Sequence, residues 1–321
     1  MTLTRTTRTR LTIASQFGDD FDQKLRAARP DLDVVPLPRV LQWPLPVEAD
    51  ILLAIPVSAQ VRAQPQPEGW PFGLRWVQLI SVGLNNYPPW LLHGPLVTTA
   101  HGTSSQTIAD FTLACVLQHA LRLPERRVAS PEGWRHVSAP ALAGSTLGLF
   151  GFGGIGRALA AKALALGLRV RALRRTEAPF GMDGVEPAGS LAELLAASDH
   201  LALVAPGTEA TRHVINAASL AHARPGLHLI NVSRGSLIDQ TDLLAALDAG
   251  RLGYASLDVT EPEPLPSGHP LYTHPRVYLS SHTCAISPQV RSAVLEKFLR
   301  GLAVWESGGT PDDPVDFERG Y

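Results

Sequence analysis

The sequence has little excess charge, few cysteines and no long apolar run. Its 28 Lys and Arg residues balance 29 Asp and Glu residues, so no basic field predicts a nucleic-acid partner. Two cysteines, Cys115 and Cys284, cannot form a disulfide framework for 321 residues. No segment has the flanks of a secretory signal or the length of a membrane span. We therefore expect a cytoplasmic, reduced protein whose partner is a small molecule, not nucleic acid or a membrane.

The chain does have length and apolar content. With 321 residues, of which 45% are hydrophobic, it can form more than one core, which excludes disorder as the main state and favours two domains. The first ten residues, MTLTRTTRTR, alternate Thr and Arg without an apolar face. This pattern favours a frayed N-terminal tail over a transit peptide.

Short apolar runs alternate with helical patterns in the first hundred residues. They lie at Leu11–Ala14, Val34–Val35, Ile51–Ala54, Trp76–Leu79 and Leu96–Val97. Strands at this spacing predict βαβ units and a parallel sheet. Many prolines stand between the runs and lengthen the connections. We expect a small first sheet with long loops.

A longer helical pattern follows, from about Ser104 to Leu123, and suits a connecting helix. It predicts a domain boundary near residue 102. The next loop, residues 124–140, carries Trp134 on a polar background. An anchor in a core and a contact between subunits are both open interpretations of this tryptophan.

A second α/β series begins near residue 147. Six strands are predicted, at Leu147–Phe150, Arg169–Ala172, Leu201–Val204, Leu227–Val232, Tyr254–Asp258 and Val277–Ser280. Six strands with intervening helices make a doubly wound sheet. After residue 287, a last helical pattern leaves this domain.

A glycine-rich turn follows the first strand of this series. Gly151-Phe152-Gly153-Gly154-Ile155-Gly156 matches G-x-G-x-x-G and opens a predicted helix from Ile155 to about Leu166. Gly151 permits the tight turn, Gly153 lets a pyrophosphate approach, and Gly156 lets the helix pack on the strand. The context predicts dinucleotide binding; a turn needed only for packing and an S-adenosylmethionine fold are the alternatives.

Three polar residues follow later strands at their carboxyl ends, where open α/β sheets bind ligands. Arg234 follows the run ending at Ile230, Glu263 follows Leu257, and His282 follows Leu279. A guanidinium can bind a substrate carboxylate, and a carboxylate beside a histidine favours the imidazolium and fixes its tautomer. Taken singly, each is more often a surface residue. Together beside a nucleotide turn, they predict acid/base chemistry.

At this point the chain resembles the D-isomer-specific 2-hydroxyacid dehydrogenase family, which includes glyoxylate/hydroxypyruvate reductases, D-lactate dehydrogenases and phosphoglycerate dehydrogenases. The resemblance runs from about Leu11 to Tyr321. Its signatures are Gly151–Gly156, Asn231–Asp239, Leu257–Pro266 with His269-Pro-Leu, and the loop bearing His282. The ending Val315–Tyr321 resembles the family's C-terminus, without the regulatory domain of the long phosphoglycerate dehydrogenases.

The resemblance implies two doubly wound parallel-sheet α/β domains, with a Rossmann nucleotide domain inserted into a smaller flavodoxin-like substrate domain. Residues 1–102 and 288–321 would form the substrate domain, and residues 103–287 the dinucleotide-binding domain. It also implies a homodimer joined through the nucleotide domain, with residues from Ser104 to about Pro140 contributing. A nucleotide-sensing binding protein, like the family's transcriptional corepressors, is the alternative to an enzyme.

The resemblance assigns roles in hydride transfer between NAD(P)H and a small 2-keto or D-2-hydroxy acid. Arg234 would bind the carboxylate and polarise the carbonyl, His282 would donate the proton, and Glu263 would support His282. Val82 and Gly83 would hold the carboxylate from the other domain. The expected cofactor-binding residues are Gly151, Phe152, Gly153, Gly154, Ile155, Gly156, Arg174, Arg175, Thr176, Ala205, Pro206, Thr208, Val232, Ser233 and Asp258.

The chain departs from the family pattern near the histidine. Ser280-Ser281 precedes His282 where Thr-Pro or Ser-Pro is common, and Cys284 follows where a small residue is expected. We interpret Cys284 as a small buried thiol, because hydride transfer needs no nucleophile. His269, His274, His282 and Cys284 match no standard zinc spacing, so no metal site is predicted. The identity of the acid is not predicted, because the sequence does not show whether the loops near Pro56, Val57 and Asn85–Tyr87 face the site.

The cofactor preference depends on the residues after the second strand of the nucleotide domain. NAD-specific sites usually place an acidic residue about 20 residues beyond the glycine turn. Here Arg174-Arg175-Thr176 occupies that place. Two guanidiniums and a hydroxyl can pair with a dianionic phosphate. The sequence therefore predicts NADP(H) over NAD(H); the alternative is solvated arginines with Glu177 binding the ribose.

Overall fold

The computed structural model describes residues 10–40, 43–45, 47–176 and 178–316. The chain divides into two compact units, Met1–Thr103 with Ser287–Tyr321, and Ser104–Ile286. Each unit contains one parallel sheet with helices, which confirms the predicted fold class. The predicted N-terminal tail lies outside the described residues, except for Arg10. Within the described ranges, no helix has the length and apolarity needed to cross a membrane.

The first unit contains a five-stranded sheet in the order β2-β1-β3-β4-β5, with every neighbouring pair parallel. This is the flavodoxin-like order. All five predicted runs are strands, and three of them, β1, β3 and β4, are buried along their whole length, as in a sheet covered on both faces. The elements are β1 (Thr12–Ser15), α1 (Asp19–Ala28), β2 (Asp33–Pro36), β3 (Ile51–Ala54), α2 (Ala59–Arg62), β4 (Trp76–Leu79), a 3₁₀ turn (Pro89–Leu92) and β5 (Leu96–Thr98).

The C-terminal helix, Pro288–Glu306, packs within this first unit. Ser287 begins it by accepting a hydrogen bond from the Val290 N–H at 3.1 Å. Its Phe298 ring lies 5.2 Å from the ring of Trp76, and both side chains are fully buried. The Trp76 indole donates to Thr98 Oγ1 at 2.8 Å, so its polar atom is satisfied inside the core.

The second unit contains a seven-stranded sheet in the order β12-β11-β10-β9-β6-β7-β8. This is a doubly wound Rossmann order, whose topological switch point lies between β6 and β9. The strands are β6 (Thr146–Phe150), β7 (Arg169–Leu173), β8 (Val185–Pro187), β9 (His200–Leu203), β10 (Leu227–Asn231), β11 (Leu252–Leu257) and β12 (Val277–Leu279). The prediction of six strands was wrong, because β8 is a three-residue edge strand with no apolar run.

The helices of the second unit are α3 (Ser105–Ala120), α4 (Leu123–Arg126), α5 (Gly154–Ala165), α6 (Leu191–Ala197), α7 (Ala217–Leu220) and α8 (Gln240–Asp248). Short 3₁₀ turns lie at Pro131–Gly133, Glu209–Thr211, Gly235–Leu237 and Pro270–Tyr272. Helix α3 ends before the predicted Leu123, because Arg122 takes a left-handed conformation with φ of 53°.

The loop after α3 leaves its tryptophan in solvent. Trp134 is 80% exposed. Its interpretation as a core anchor was therefore wrong, and the subunit contact stays a prediction. Both cysteines are buried and free, as interpreted for Cys284.

Candidate active site

The glycine turn connects β6 to α5 at the switch point of the second sheet. Gly151 has φ of 107°, and a Cβ there would lie 2.7 Å from the Ala205 amide nitrogen. A Cβ on Gly156 would lie 2.9 Å from the Gly151 carbonyl oxygen. Neither position accepts a side chain, so both glycines are required for the turn to pack on β9 and on itself.

The glycine turn is unobstructed at Gly153. A Cβ on Gly153 would meet no atom within 4 Å, and Gly153 is exposed. Helix α5 begins at Gly154, so the first amide groups of the helix have no partner within it. Phe152 is buried, and Ile155 is half-buried. An open backbone at a helix start fits the pyrophosphate of a dinucleotide.

Arg234 follows β10 and lies at the start of a 3₁₀ turn. Its Nη1 donates to the Ser233 carbonyl oxygen at 2.7 Å, and its own carbonyl accepts from Asn231 Nδ2 at 2.8 Å. Burial lowers the pKa of its guanidinium, and the Glu263 carboxylate opposes that shift. The side chain passes over Gly207, where a Cβ would lie 2.8 Å from Arg234 Cγ. Gly207 therefore leaves the space that Arg234 occupies.

Glu263 and His282 form a direct pair. His282 Nδ1 lies 2.8 Å from Glu263 Oε2, and Glu263 Oε1 accepts the Thr260 N–H at 3.0 Å. Burial alone would raise the pKa of Glu263. The hydrogen bond and charge of His282, the Thr260 amide and the Arg234 charge outweigh burial and lower this pKa. The carboxylate is therefore ionised at neutral pH and fixes the orientation of the imidazole.

Asp258 holds the loop that carries the histidine. Its carboxylate accepts hydrogen bonds from Ser280 Oγ at 2.6 Å and from the N–H groups of Thr283 and Cys284 at 2.9 and 3.0 Å. Its carbonyl accepts the His282 N–H at 2.8 Å. Burial would raise the pKa of Asp258, but these bonds and one from the Cys284 thiol outweigh it and lower the pKa. His282 itself has φ of 55°, so this loop is closely constrained.

The two loops that follow β9 and β10 contact each other. Ser233 Oγ donates to the Ala205 carbonyl oxygen, and both residues are buried with Val232. In the β9 loop, the Thr208 N–H donates to Thr211 Oγ1 at 2.8 Å, while Pro206 is exposed. Five predicted cofactor-binding residues therefore lie on neighbouring loops at the switch point.

The predicted phosphate-binding residues follow β7. Arg174 Nε donates to the Thr176 carbonyl at 3.0 Å, and its Nη2 donates to the Pro179 carbonyl at 3.0 Å. Arg175 and Thr176 are exposed. Glu177, the alternative ribose-binding residue, lies outside the described residues.

Val82 and Gly83 belong to the first unit, in the turn after β4, and both are half-buried. Ser81, which begins this turn, lies with its Oγ 3.0 Å from the Tyr87 hydroxyl. No three or more His, Cys, Asp or Glu side chains among the described residues are arranged to hold a metal ion. His274 instead faces Asp248, with Nε2 3.3 Å from Oδ1.

Sequence reasoning missed the residues that fit these loops together. A Cβ on Gly235 would lie 2.0 Å from the carbonyl carbon and oxygen of Thr260, so the Arg234 turn packs directly on the Glu263 loop. Gly207 has the corresponding role beneath Arg234. A glycine directly beside a predicted site residue is the signal that could have found both.

Comparisons with known proteins agree with this geometry. A sequence model described as "D-isomer specific 2-hydroxyacid dehydrogenase, NAD binding domain" matches residues 113–284. The chain is 34% identical over 241 residues to glyoxylate/hydroxypyruvate reductase A from Serratia proteamaculans, which covers 73% of this chain and 75% of the relative.

Two solved structures share the fold over nearly the whole chain. A D-isomer specific 2-hydroxyacid dehydrogenase from Xanthobacter autotrophicus, in complex with NADPH and MES, is 29% identical, with a TM-score of 0.81 and coverage of 98% of this chain and 100% of that one. An NADPH-dependent glyoxylate/hydroxypyruvate reductase from Sinorhizobium meliloti, in complex with NADP and sulfate, is 25% identical, with a TM-score of 0.81 and the same coverage. The chain is an oxidoreductase that belongs to the D-isomer specific 2-hydroxyacid dehydrogenase family.

Proposed function

We propose that this enzyme uses NADPH to reduce a small 2-keto acid to its D-2-hydroxy acid. The observation that carries the proposal is the 2.8 Å hydrogen bond between His282 and Glu263, in the same unit as the Arg234 guanidinium and the glycine turn. No feature of the described residues favours a binding protein without turnover. The cytoplasmic location stays a prediction.

In the proposed mechanism, Arg234 binds the substrate carboxylate and polarises the carbonyl group. A guanidinium makes two parallel hydrogen bonds to a carboxylate, which fixes the acid in one orientation. The backbone of Val82 and Gly83 would hold the carboxylate from the first unit. The nicotinamide, when bound, supplies the hydride that the carbonyl carbon accepts.

His282 would donate the proton to the carbonyl oxygen, so that the ketone becomes a secondary alcohol. With Nδ1 held by Glu263, the ring directs Nε2 toward the reacting oxygen. Glu263 would accept the hydrogen bond at Nδ1 and leave Nε2 as the nitrogen that can act as a general acid. Asp258 would contribute through the position of the 280–284 loop; its role in binding the cofactor stays a prediction.

Three variants test these assignments. His282→Ala removes the general acid and should lower kcat/KM by about 10²- to 10⁴-fold. Arg234→Gln should mainly raise KM, because the carboxylate loses its charged partner. Glu263→Gln should lower kcat/KM, because the carboxylate that holds Nδ1 of the imidazole is replaced by a neutral amide.

His222→Ala, at an exposed position on the same unit, is the matched control and should behave as the parent. Activity that survives both the Glu263 and His282 changes would overturn the assignments. The substrate class follows the relatives, which are named as reductases of glyoxylate and hydroxypyruvate. Both acids are small enough to test directly.

The proposed preference for NADPH rests on Arg174 and Arg175. Two solved relatives contain NADPH or NADP. An acidic residue that would repel a 2′-phosphate is absent from positions 174–176. Arg174→Asp combined with Arg175→Ala should swing the kcat/KM preference toward NADH. A parent enzyme with equal or greater kcat/KM for NADH would contradict the preference.

We further propose that the first unit is the substrate domain, that the second binds the dinucleotide, and that two copies associate through the second unit. The exposed Trp134 and the apolar residues Leu123 and Val128, which are 80%, 49% and 44% exposed, favour a contact there. Light scattering at micromolar concentration should give twice the chain mass of 34.4 kDa. A single-chain mass would refute the dimer.

A further inference from the structure

A third arginine lies beside the glycine turn, outside the set predicted from the sequence. Arg157 is the fourth residue of α5, and it is exposed. Its guanidinium carbon lies 5.1 Å from the ring centroid of Phe152, the second residue of the turn. The arginine is therefore held over the turn by a cation–π contact and does not extend freely into solvent.

The aromatic ring beneath Arg157 connects the turn to the loop after β7. Phe152 packs edge to face on Phe180, with ring centroids 4.7 Å apart. The Arg174 guanidinium carbon lies 4.9 Å from the Phe180 ring centroid. Two guanidiniums, from α5 and from the β7 loop, thus stack on one aromatic pair.

Arg157 also approaches the far side of that loop. A Cβ built on Gly181 would lie 4.0 Å from Arg157 Nη1. Arg174, Phe180 and Gly181, which follow β7, therefore lie beside Phe152 and Arg157. This places the guanidinium of Arg157 beside the segment that the cofactor proposal assigns to phosphate binding.

In the part of the chain that the structure describes, no acidic side chain pairs with the arginines at this place. Within residues 10–176 and 178–316, apart from the undescribed positions 41, 42 and 46, neither Arg157, Arg174 nor Arg175 forms an ion pair. Arg171, on the neighbouring strand, differs: it pairs with Glu186 and Glu193. Among the described residues, Arg174 donates to the neutral carbonyl oxygens of Thr176 and Pro179. No described carboxylate therefore competes with an anionic ligand for these three guanidiniums.

We propose that Arg157 is a specificity-determining residue for NADPH, a third cation that contacts the 2′-phosphate together with Arg174 and Arg175. This inference rests on the proposed NADPH preference. The stacking on Phe152 orients the planar guanidinium, so less side-chain freedom is lost when the phosphate binds. The aromatic pair positions the cations of both segments.

Binding of nucleotide fragments tests Arg157 without any turnover. Calorimetry of the full chain with 2′,5′-ADP and with 5′-AMP compares ligands that differ only in the 2′-phosphate. Arg157→Gln should weaken the binding of 2′,5′-ADP by about tenfold, the size of one charge-assisted contact. It should weaken the binding of 5′-AMP by less than about twofold. Arg157→Lys keeps the charge and loses the planar stack. Its affinity for 2′,5′-ADP should lie between those of the parent and Arg157→Gln.

Arg169→Gln is the matched control, because Arg169 is an exposed arginine at the opposite end of β7. It should bind both fragments as the parent does. Phe152→Leu tests the aromatic pair and should reduce the preference for 2′,5′-ADP. A melting temperature like the parent's would show that the variant is folded.

The outcomes separate the two proposals. A parent that discriminates between the fragments, with Arg157→Gln discriminating equally well, overturns the role of Arg157 alone. Equal weakening of both fragments by Arg157→Gln also overturns it, because the contact would then lie elsewhere on the nucleotide. A parent that does not discriminate overturns the NADPH preference together with this inference.

Discussion

Three histidines are packed together at the amino ends of strands in the second unit, and they predict acid sensitivity. His200 begins β9 and His228 lies in β10, with their Nδ1 atoms 3.2 Å apart. His228 Nε2 lies 2.9 Å from Ser256 Oγ. The His119 ring of α3 lies 4.4 Å from the His228 ring and 4.9 Å from the ring of Tyr254. The cluster makes polar contacts, and His200 and His228 are buried.

Burial keeps these histidines neutral. It lowers the pKa of His200 from 6.5 to about 4, and the charge of His119 acts in the same direction. Burial also lowers the pKa of His119 and, further, that of His228. A folded pKa below the unfolded value means that the unfolded chain takes up the proton first. Stability is therefore fully present above pH 6.5 and is lost as the pH falls toward 4.

The size of the loss follows from the His200 values. At pH 5 an unfolded histidine of pKa 6.5 is almost fully protonated, while a folded one of pKa about 4 is not. The free energy of unfolding should fall by about 2 kcal/mol between pH 7 and pH 5 from His200 alone. His228 adds to the loss in the same direction.

Urea unfolding of the full chain at pH 7 and pH 5 measures this effect. His200→Asn keeps a polar atom near Nδ1 and removes the titration, so its loss between the two pH values should be smaller than the parent's by about 2 kcal/mol. His222→Asn, at an exposed position, is the control and should lose as much as the parent. Equal losses of unfolding free energy between pH 7 and pH 5 in the parent and His200→Asn would show that His200 is not the cause.

Three further predictions concern the loops and the C-terminal helix. Gly235→Ala places a Cβ 2.0 Å from the Thr260 carbonyl, so the Glu263 loop must shift, and we expect kcat/KM to fall by more than about tenfold with a lower melting temperature. Asp258→Asn replaces a buried acceptor of two backbone N–H groups and should lower the urea-measured free energy of unfolding by about 1–3 kcal/mol. Ser287→Ala removes the cap of the C-terminal helix and should lower the free energy of unfolding by about 1 kcal/mol in the same titration. For each variant, values equal to the parent's would contradict the prediction.

The strands were predictable because each is marked by its own residues. The run Ile51–Ala54 is apolar and fully buried, as a strand in a covered parallel sheet must be. The edge strand Val185–Pro187 was missed, since its pairing with β7 is a tertiary contact and its residues have no strand pattern. Pattern along the chain therefore predicts central strands better than short edges.

The site was predictable only in part. Arg234, Glu263 and His282 follow strands whose ends converge, so sequence and topology together indicate them. The histidine cluster gave no such signal, because His119, His200 and His228 lie on separate elements and each looks isolated in the sequence. Contacts of this kind depend on register and packing across the sheet.

The activity proposed for this chain is the reduction of a 2-keto acid with NADPH. The most direct measurement is the initial rate of NADPH and NADH oxidation by the purified protein with glyoxylate, hydroxypyruvate and larger aliphatic and aromatic 2-keto acids. We expect saturable turnover of at least one acid, with a greater kcat/KM for NADPH than for NADH. A protein that binds the nucleotide but turns over none of these acids would contradict it.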